Sequence, residues 1–233
     1  MLIFRYRVVF FIVGFVLVSL RLSMASPAYG TKMPVKKEVF LGLQHCYLKD
    51  LNLDNSAGSV RSHQNYFTLS YGLLDWLSLD LKASLYSSFR HDPDAGERME
   101  YNNPIWGGGY GFRIKAYESG PVKAVVGFQH FSIHPKTVKA NGEKNNGILE
   151  DWQGSALVSY TLKYFTPYIG ARYMLTDYIH SRNDERKMIK SDQGRRVGLI
   201  TGMDIPLTRR VWVNIESAWQ DGKSVAAGIF CRF

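Results

Sequence analysis

The chain has 233 residues, a hydrophobic fraction of 45% and a formal net charge of +9 at pH 7. Apart from a stretch near the N-terminus, no apolar run approaches the ~20 residues that span a bilayer as a helix, which excludes a helical membrane protein. The basic residues are scattered along the chain instead of gathered in one segment, which argues against a nucleic-acid partner.

The N-terminal stretch has the pattern of a secretory signal. Arg5 and Arg7 precede a mostly apolar run from Val8 to Leu20, and small residues follow. We predict a signal peptide over residues 1–25, with cleavage after residue 30 as the alternative, then a short periplasmic segment over 26–38 and a single folded domain over 39–233. Removal of residues 1–25 deletes three arginines and no acid, so the net charge falls from +9 to +6.

The folded domain contains ten stretches in which apolar residues recur at every second position, as they do in β-strands. The predicted strands cover about 39–50, 64–74, 76–90, 104–117, 121–133, 151–163, 166–178, 193–206, 210–219 and 223–233. Tight turns alternate with long polar connections over 51–63, 91–103, 134–150 and 179–192, and only the joint 220–223 breaks this alternation. In a barrel with an even number of strands, short turns lie on the periplasmic side and long loops on the extracellular side.

Each predicted strand has one apolar and one polar face. In the third strand, Leu79 and Leu81 point one way, whereas Asp80, Lys82 and Tyr86 point the other. An open sheet in lipid would leave edge N–H and C=O groups unpaired at several kcal/mol each, so the sheet must close. We predict an all-β fold, a closed antiparallel transmembrane β-barrel of about 10 strands, with 8 or 12 as alternatives.

Charged residues of the polar faces are predicted to point into the lumen, where bases outnumber acids. The predicted lumen charge network consists of Asp80, Lys82, Arg113, Lys115, Lys123, Lys163, Arg172, Arg196, Asp204 and Glu216. An interior of this width is nearly filled by its own side chains, which favours an ion-paired plug. A narrow anion-preferring channel is the alternative. Cys46 and Cys231 fall on opposite faces by the same parity, so we expect no disulfide.

Polar residues near the extracellular rim leave two further options open. His91, His130, His134 and His180 are expected there, and Ser132 stands between His130 and His134, as a lipid A hydrolase would need. Ten strands with Asp and His at the rim are also similar to the omptin proteases. No metal-ligand spacing is specific, and no cofactor is predicted. The bases of the 179–192 loop suit phosphate groups of surface glycolipids or, alternatively, plain solvation.

The C-terminal strand ends in Phe233, with Val225, Ala227 and Ile229 at alternating positions before it. With the leader and the tight turn over 71–76, this ending resembles the small outer-membrane β-barrel proteins, the group of the OmpA transmembrane domain, OmpX, OmpW and the opacity-type proteins. The resemblance implies residence in the outer membrane of a Gram-negative (diderm) bacterium. It also implies that the barrel-assembly machinery reads the terminal strand as an insertion signal.

From these observations we expect a monomeric, non-enzymatic outer-membrane protein with a structural or surface-interaction role. Its expected partners are outer-membrane lipids and lipopolysaccharide, and the barrel-assembly machinery during insertion. The alternatives are the anion-preferring channel and a rim-active lipid A hydrolase or omptin-like protease.

Overall fold

A computed structural model describes residues 27–54, 57–94, 96–101, 106–140, 142–183, 185–190, 196–219 and 223–233. The predicted signal peptide lies outside the described residues. The strands are β1 (Val39–Asn52), β2 (Ser59–Leu74), β3 (Leu77–Ser84), β4 (Ser88–Asp92), β5 (Met99–Tyr101), β6 (Trp106–Ser119), β7 (Val122–His134), β8 (Val138–Ala140), β9 (Glu143–Tyr160), β10 (Thr166–Arg182), β11 (Glu185–Lys190), β12 (Val197–Pro206), β13 (Val211–Trp219) and β14 (Ser224–Arg232). No helix among the described residues is long and apolar enough to cross a membrane.

The sheet closes on itself through its first strand. β1 pairs antiparallel with β2, where Leu41 lies opposite Leu69, and with β14, where Leu41 lies opposite Cys231. The backbone bonds between Val39 and Phe233 extend this seam to the last residue. Ten strands form the closed path, which are β1, β2, β3, β6, β7, β9, β10, β12, β13 and β14. The predicted closed antiparallel barrel of ten strands is confirmed.

The wall separates two environments by strict alternation, as the sequence predicts. Leu79 and Leu81 are 45% and 52% exposed on the outside, whereas Asp80 and Lys82 between them are buried. The same alternation runs along β9 and β10, where Val158 and Ile169 face outward. A charge on the lipid side near the bilayer centre costs ~2–4 kcal/mol, so this arrangement keeps the charges inside.

One predicted strand is interrupted. The third strand divides into β3 and β4, and Tyr86 between them has a φ of 59°, a left-handed conformation that non-glycine residues rarely adopt. Asn65 stabilises the break, since its Nδ2 donates to the Tyr86 carbonyl at 2.6 Å. The alternation shifts at this point, so Tyr86 is 74% exposed outside, and its prediction as an inward residue was wrong.

Strands also continue above the barrel, where the sequence predicts long loops. The 179–192 connection holds a hairpin formed by the end of β10 and by β11. The 134–150 connection holds β8 and the first residues of β9. β4 and β5 also extend the sheet above the barrel, where β4 pairs with β2 and β5 pairs with β4. Polar residues on both faces hide the alternation here, because these segments stand in water and need no apolar outer face.

Candidate functional site

The interior of the barrel holds a segment of the chain itself, which we call the lumen segment (residues 27–36). It crosses the periplasmic rim beside the β2–β3 turn, where the Lys36 N–H donates to Asp75 Oδ1 at 3.1 Å. The next N–H, of Lys37, donates to the Gly72 carbonyl at 2.7 Å. The carbonyl of Val35 occupies the space that a Cβ at position 72 would need, so only glycine permits this close passage.

Arg113 joins the lumen segment to the barrel wall. Its Nε and Nη2 donate to the two carboxylate oxygens of Asp80 at 2.9 and 2.7 Å. Its Nη1 donates to the backbone carbonyls of Tyr29 and Lys32 at 2.9 and 2.7 Å. Both Asp80 and Arg113 are buried, and a buried charge is tolerated only when its bonds are satisfied in this way.

Lys82 holds the upper end of the lumen segment. Its Nζ donates to the Pro27 carbonyl at 2.6 Å and to Gln129 Oε1 at 3.0 Å. The ammonium also lies 4.2 Å from the ring centre of Tyr29 and 5.4 Å from that of Tyr66, which is cation–π geometry. The lysine therefore marks the level at which the segment meets the upper part of the lumen.

A third set of contacts comes from the opposite wall. The Ala28 N–H donates to Glu216 Oε1 at 2.6 Å, and the Tyr168 hydroxyl donates to Glu216 Oε2 at 2.9 Å. Asn214 Nδ2 then joins the Tyr168 hydroxyl at 3.0 Å to Asp204 Oδ1 at 2.9 Å. The segment is thus bonded to strands on both sides of the barrel.

The ten residues of the predicted lumen charge network separate into two groups. Six are buried in the interior, namely Asp80, Lys82, Arg113, Arg172, Asp204 and Glu216. Lys115 and Lys123 instead pair with Glu118 at the periplasmic end. Lys163 is exposed on the turn after β9, beside the ring of Tyr164. Arg196 bonds the outward-facing Tyr173 hydroxyl at 3.4 Å.

Lys163 and Arg196 correct the prediction that all ten line the lumen, whereas Lys115 and Lys123 lie at its periplasmic end. Alternation along a strand determines which face a residue occupies, but not its height along the barrel. Near a turn the wall no longer encloses a long side chain, which then finds a partner at the rim.

The extracellular half of the lumen is filled by apolar side chains, which we call the apolar seal. Tyr66 and Phe131 meet edge to face at 4.8 Å, and Phe89 lies 4.5 Å from Tyr101 between ring centres. The other buried members are Cys46, Leu48, Leu51, Leu53, Val60, Met99, Ile133, Leu149, Met174, Tyr178 and Ala226. A cavity of about 20 Å³ remains between them and the polar Gln64, Asp151 and Thr176, and one of about 10 Å³ lies beside Arg113 and the lumen segment.

The predicted rim histidines do not form one cluster. His91 and His180 face inward, where His91 Nε2 contacts the Ala57 carbonyl at 2.7 Å and His180 Nε2 contacts Asn145 Oδ1 at 3.0 Å. His130 and His134 face outward, and the His130 ring stacks on Trp152 at 3.9 Å. Among the described residues, no group of three His, Cys, Asp or Glu could hold a metal ion.

Ser132 and His134 meet on the outer face of β7. Ser132 Oγ and His134 Nε2 are 2.9 Å apart, and Glu150 lies directly opposite Ser132 on β9. His130 is therefore not the histidine that contacts the serine.

Cys46 and Cys231 are not joined in a disulfide and lie on opposite faces, Cys46 buried in the seal and Cys231 partly exposed outside. The terminal residues Phe233, Ile229, Ala227 and Val225 share the outer face of the closing strand. Recognition of these residues by the barrel-assembly machinery stays a prediction.

No protein-family model and no curated protein matches the chain. Solved structures that it resembles include an outer membrane channel from Pseudomonas putida F1, with a TM-score of 0.46 and 8% identity over 90% of this chain and 100% of that one. The translocator domain of the autotransporter NalP from Neisseria meningitidis has a TM-score of 0.44 and 10% identity over 84% and 87%. The outer membrane protease OmpT from Escherichia coli has a TM-score of 0.38 and 8% identity over 89% and 96%.

Similarities at this level carry no argument about function. The class of the protein follows from its own features, which are a sheet without a free edge and an apolar belt around the outside of a polar and ionic interior. The chain is a closed transmembrane β-barrel of the outer-membrane type.

Proposed function

We propose that the protein is a non-conducting outer-membrane barrel that acts through its outer and extracellular surfaces, in a structural or surface-interaction role. The observation that carries this proposal is the double closure of the lumen, by the lumen segment in the periplasmic half and by the apolar seal in the extracellular half.

Conduction would need a continuous water path, whereas the described side chains of the apolar seal and the lumen segment occupy the two halves of the lumen. The two cavities, of about 20 and 10 Å³, hold about one water molecule each at most. Lys82 and Arg113, which would favour an anion, already bind backbone carbonyls and Asp80. A channel would therefore have to break buried charge-assisted hydrogen bonds before an ion could enter, which disfavours the anion-preferring alternative.

Single-channel recording in planar bilayers tests the proposal. We expect the folded protein to be silent, and a variant lacking residues 27–34 to stay silent because the apolar seal remains. A variant that combines this deletion with Tyr66→Ala and Phe131→Ala should conduct. Discrete current steps from the unaltered protein would overturn the proposal, and far-UV circular dichroism checks that each variant is folded.

A second candidate function, hydrolysis of a lipid ester at the outer face, is favoured by the 2.9 Å contact between Ser132 Oγ and His134 Nε2. In such a reaction the serine oxygen attacks the ester carbonyl and its proton passes to the histidine, which then protonates the departing alcohol. Water cleaves the acyl-serine to release the fatty acid and restore the serine. Glu150, opposite Ser132 on β9, places a carboxylate on the same face.

Mass spectrometry of lipid A from cells with and without the protein separates the two candidates. Hydrolysis requires the loss of one acyl chain in the presence of the protein, and Ser132→Ala should abolish that loss. Ser181→Ala, on the same outer face but away from His134, is the matched control. Identical acyl patterns in all strains would reject the hydrolase.

A further inference from the structure

The extracellular extension of the barrel forms a sheet of four strands in the order β8, β9, β10 and β11. Its outer face continues the lipid-facing side of the wall, because β9 keeps its alternation and β10 stays in register with it. Trp152 on β9 is the last large aromatic residue on this face of the strand, and it marks the membrane interface.

Strand register arranges this outer face in successive rows above Trp152. In the first row, Glu150 lies opposite Asp177, which lies opposite Lys190. The second row is apolar, with the partly exposed Ile148 and the exposed Met188 on either side of the buried Ile179.

Two further rows are polar and basic. Asn146, Ser181 and Arg186 form the third row. Above them, Lys144 lies opposite Lys139, and its backbone N–H is bonded by Asn183 Oδ1 at 3.1 Å.

Four bases therefore share this face, Lys139, Lys144, Arg186 and Lys190, which we call the outer basic face. All four are exposed, and none forms an ion pair with any residue that the structure describes. Among the described residues, the carboxylates on the same face are Glu150 and Asp177, both in the row nearest the membrane. The upper rows thus carry unopposed positive charge.

The height of these rows above Trp152 indicates which part of the outer leaflet they contact. A strand rises ~3.4 Å per residue and tilts by ~40° in such barrels, so the Lys190 row lies about 5 Å above Trp152 and Lys144 lies about 20 Å above it. A phospholipid headgroup layer is only about 5–8 Å thick. The bases begin in that layer and continue beyond it, which suits a lipid whose phosphates are carried on sugars.

We infer that the outer basic face binds the phosphate groups of a phosphorylated glycolipid in the outer leaflet. Lysine and arginine would hold the phosphate oxygens by charge-assisted hydrogen bonds, and the apolar side chains of Ile148 and Met188 would lie against the sugar–acyl junction. This inference rests on the proposed surface role and names the partner of that surface.

Native mass spectrometry in detergent micelles tests it, with lipid A that carries two phosphates as the probe. We expect the triple variant Lys144→Gln, Arg186→Gln and Lys190→Gln to retain lipid A at least about tenfold less than the unaltered protein, since each base near a charged membrane surface contributes about 1 kcal/mol. The control is Lys163→Gln, Arg209→Gln and Arg210→Gln, which removes the same charge from exposed positions at the periplasmic turns. It should retain lipid A unchanged.

Lipid A stripped of its phosphates should bind the unaltered protein and the triple variant equally weakly. Equal retention of intact lipid A by the triple variant and its control would overturn the inference. Displacement of lipid A by millimolar inorganic phosphate would do the same, since it would assign the face to soluble anions. These outcomes are independent of channel recording, so failure of this inference is distinguishable from failure of the proposed function.

Discussion

The guanidinium of Arg113 binds both carboxylate oxygens of Asp80, at 2.7 and 2.9 Å, inside a barrel where both side chains are buried. The same guanidinium donates to carbonyls of the lumen segment, so one side chain joins the barrel wall to that segment. The stability of the barrel and the closure of its lumen therefore depend on the same contact.

We predict that Arg113→Gln lowers the free energy of unfolding by about 3–5 kcal/mol, because it leaves the Asp80 carboxylate buried without its cation. Urea titration of the detergent-folded protein measures this. The exposed Arg209→Gln should stay within about 0.5 kcal/mol of the unaltered protein. A loss below about 1 kcal/mol for Arg113→Gln would mean that water reaches Asp80, contrary to a closed lumen.

Gly72→Ala should displace the lumen segment, because its methyl group would overlap the Val35 carbonyl. We expect a loss of about 1–3 kcal/mol, as for other overpacked sites, and faster proteolysis between residues 27 and 38. Gly154→Ala is the matched control, since a Cβ there meets no atom within 4 Å. Equal behaviour of the two variants would show that the segment does not pass beside Gly72.

The thiol of Cys46 offers a direct probe of closure, because it lies in the apolar seal. In a Cys231→Ser background, a neutral water-soluble maleimide should modify Cys46 only after unfolding. The converse Cys46→Ser protein keeps the partly exposed Cys231 and is the control, because its modification shows that the reagent is active. Rapid modification of Cys46 in the folded protein would disprove the double closure.

Maturation should leave Ser26 as the first residue. Cleavage after Gly30 would remove the carbonyl of Pro27 and the N–H of Ala28, which bond Lys82 and Glu216. It would leave these two buried charges short of partners, at a cost of about 1–3 kcal/mol for each unsatisfied group. The intact mass of the protein purified from membranes decides between the two sites, and a mass that begins at Thr31 would contradict the lumen segment.

Alternation in the sequence was enough to predict closure, strand number and the side that each of Leu79 and Asp80 faces. It could not predict the height of Lys115 or Arg196, because period two carries no information about distance from the rim. The lumen segment was missed for a related reason. Residues 27–38 show no periodicity, and many of their contacts are made through backbone carbonyls and N–H groups, which do not depend on the side chain.

Tyr86 shows a different limit, since its left-handed backbone depends on Asn65 in a neighbouring strand. The 2.9 Å contact of Ser132 was visible in the sequence only as a choice between two histidines. Both lie on the outer face, and side-chain geometry alone distinguishes His134 from His130.

The direction of the lumen segment also constrains how the molecule can be handled. Pro27 lies deep in the interior, beneath the seal and about level with Lys82, which binds its carbonyl. We expect a folded tag or fluorescent fusion joined directly before Pro27 to compete for this space with the apolar seal and to displace the lumen segment. Reporter sequences belong instead in the β10–β11 hairpin, where the chain already turns in open solvent.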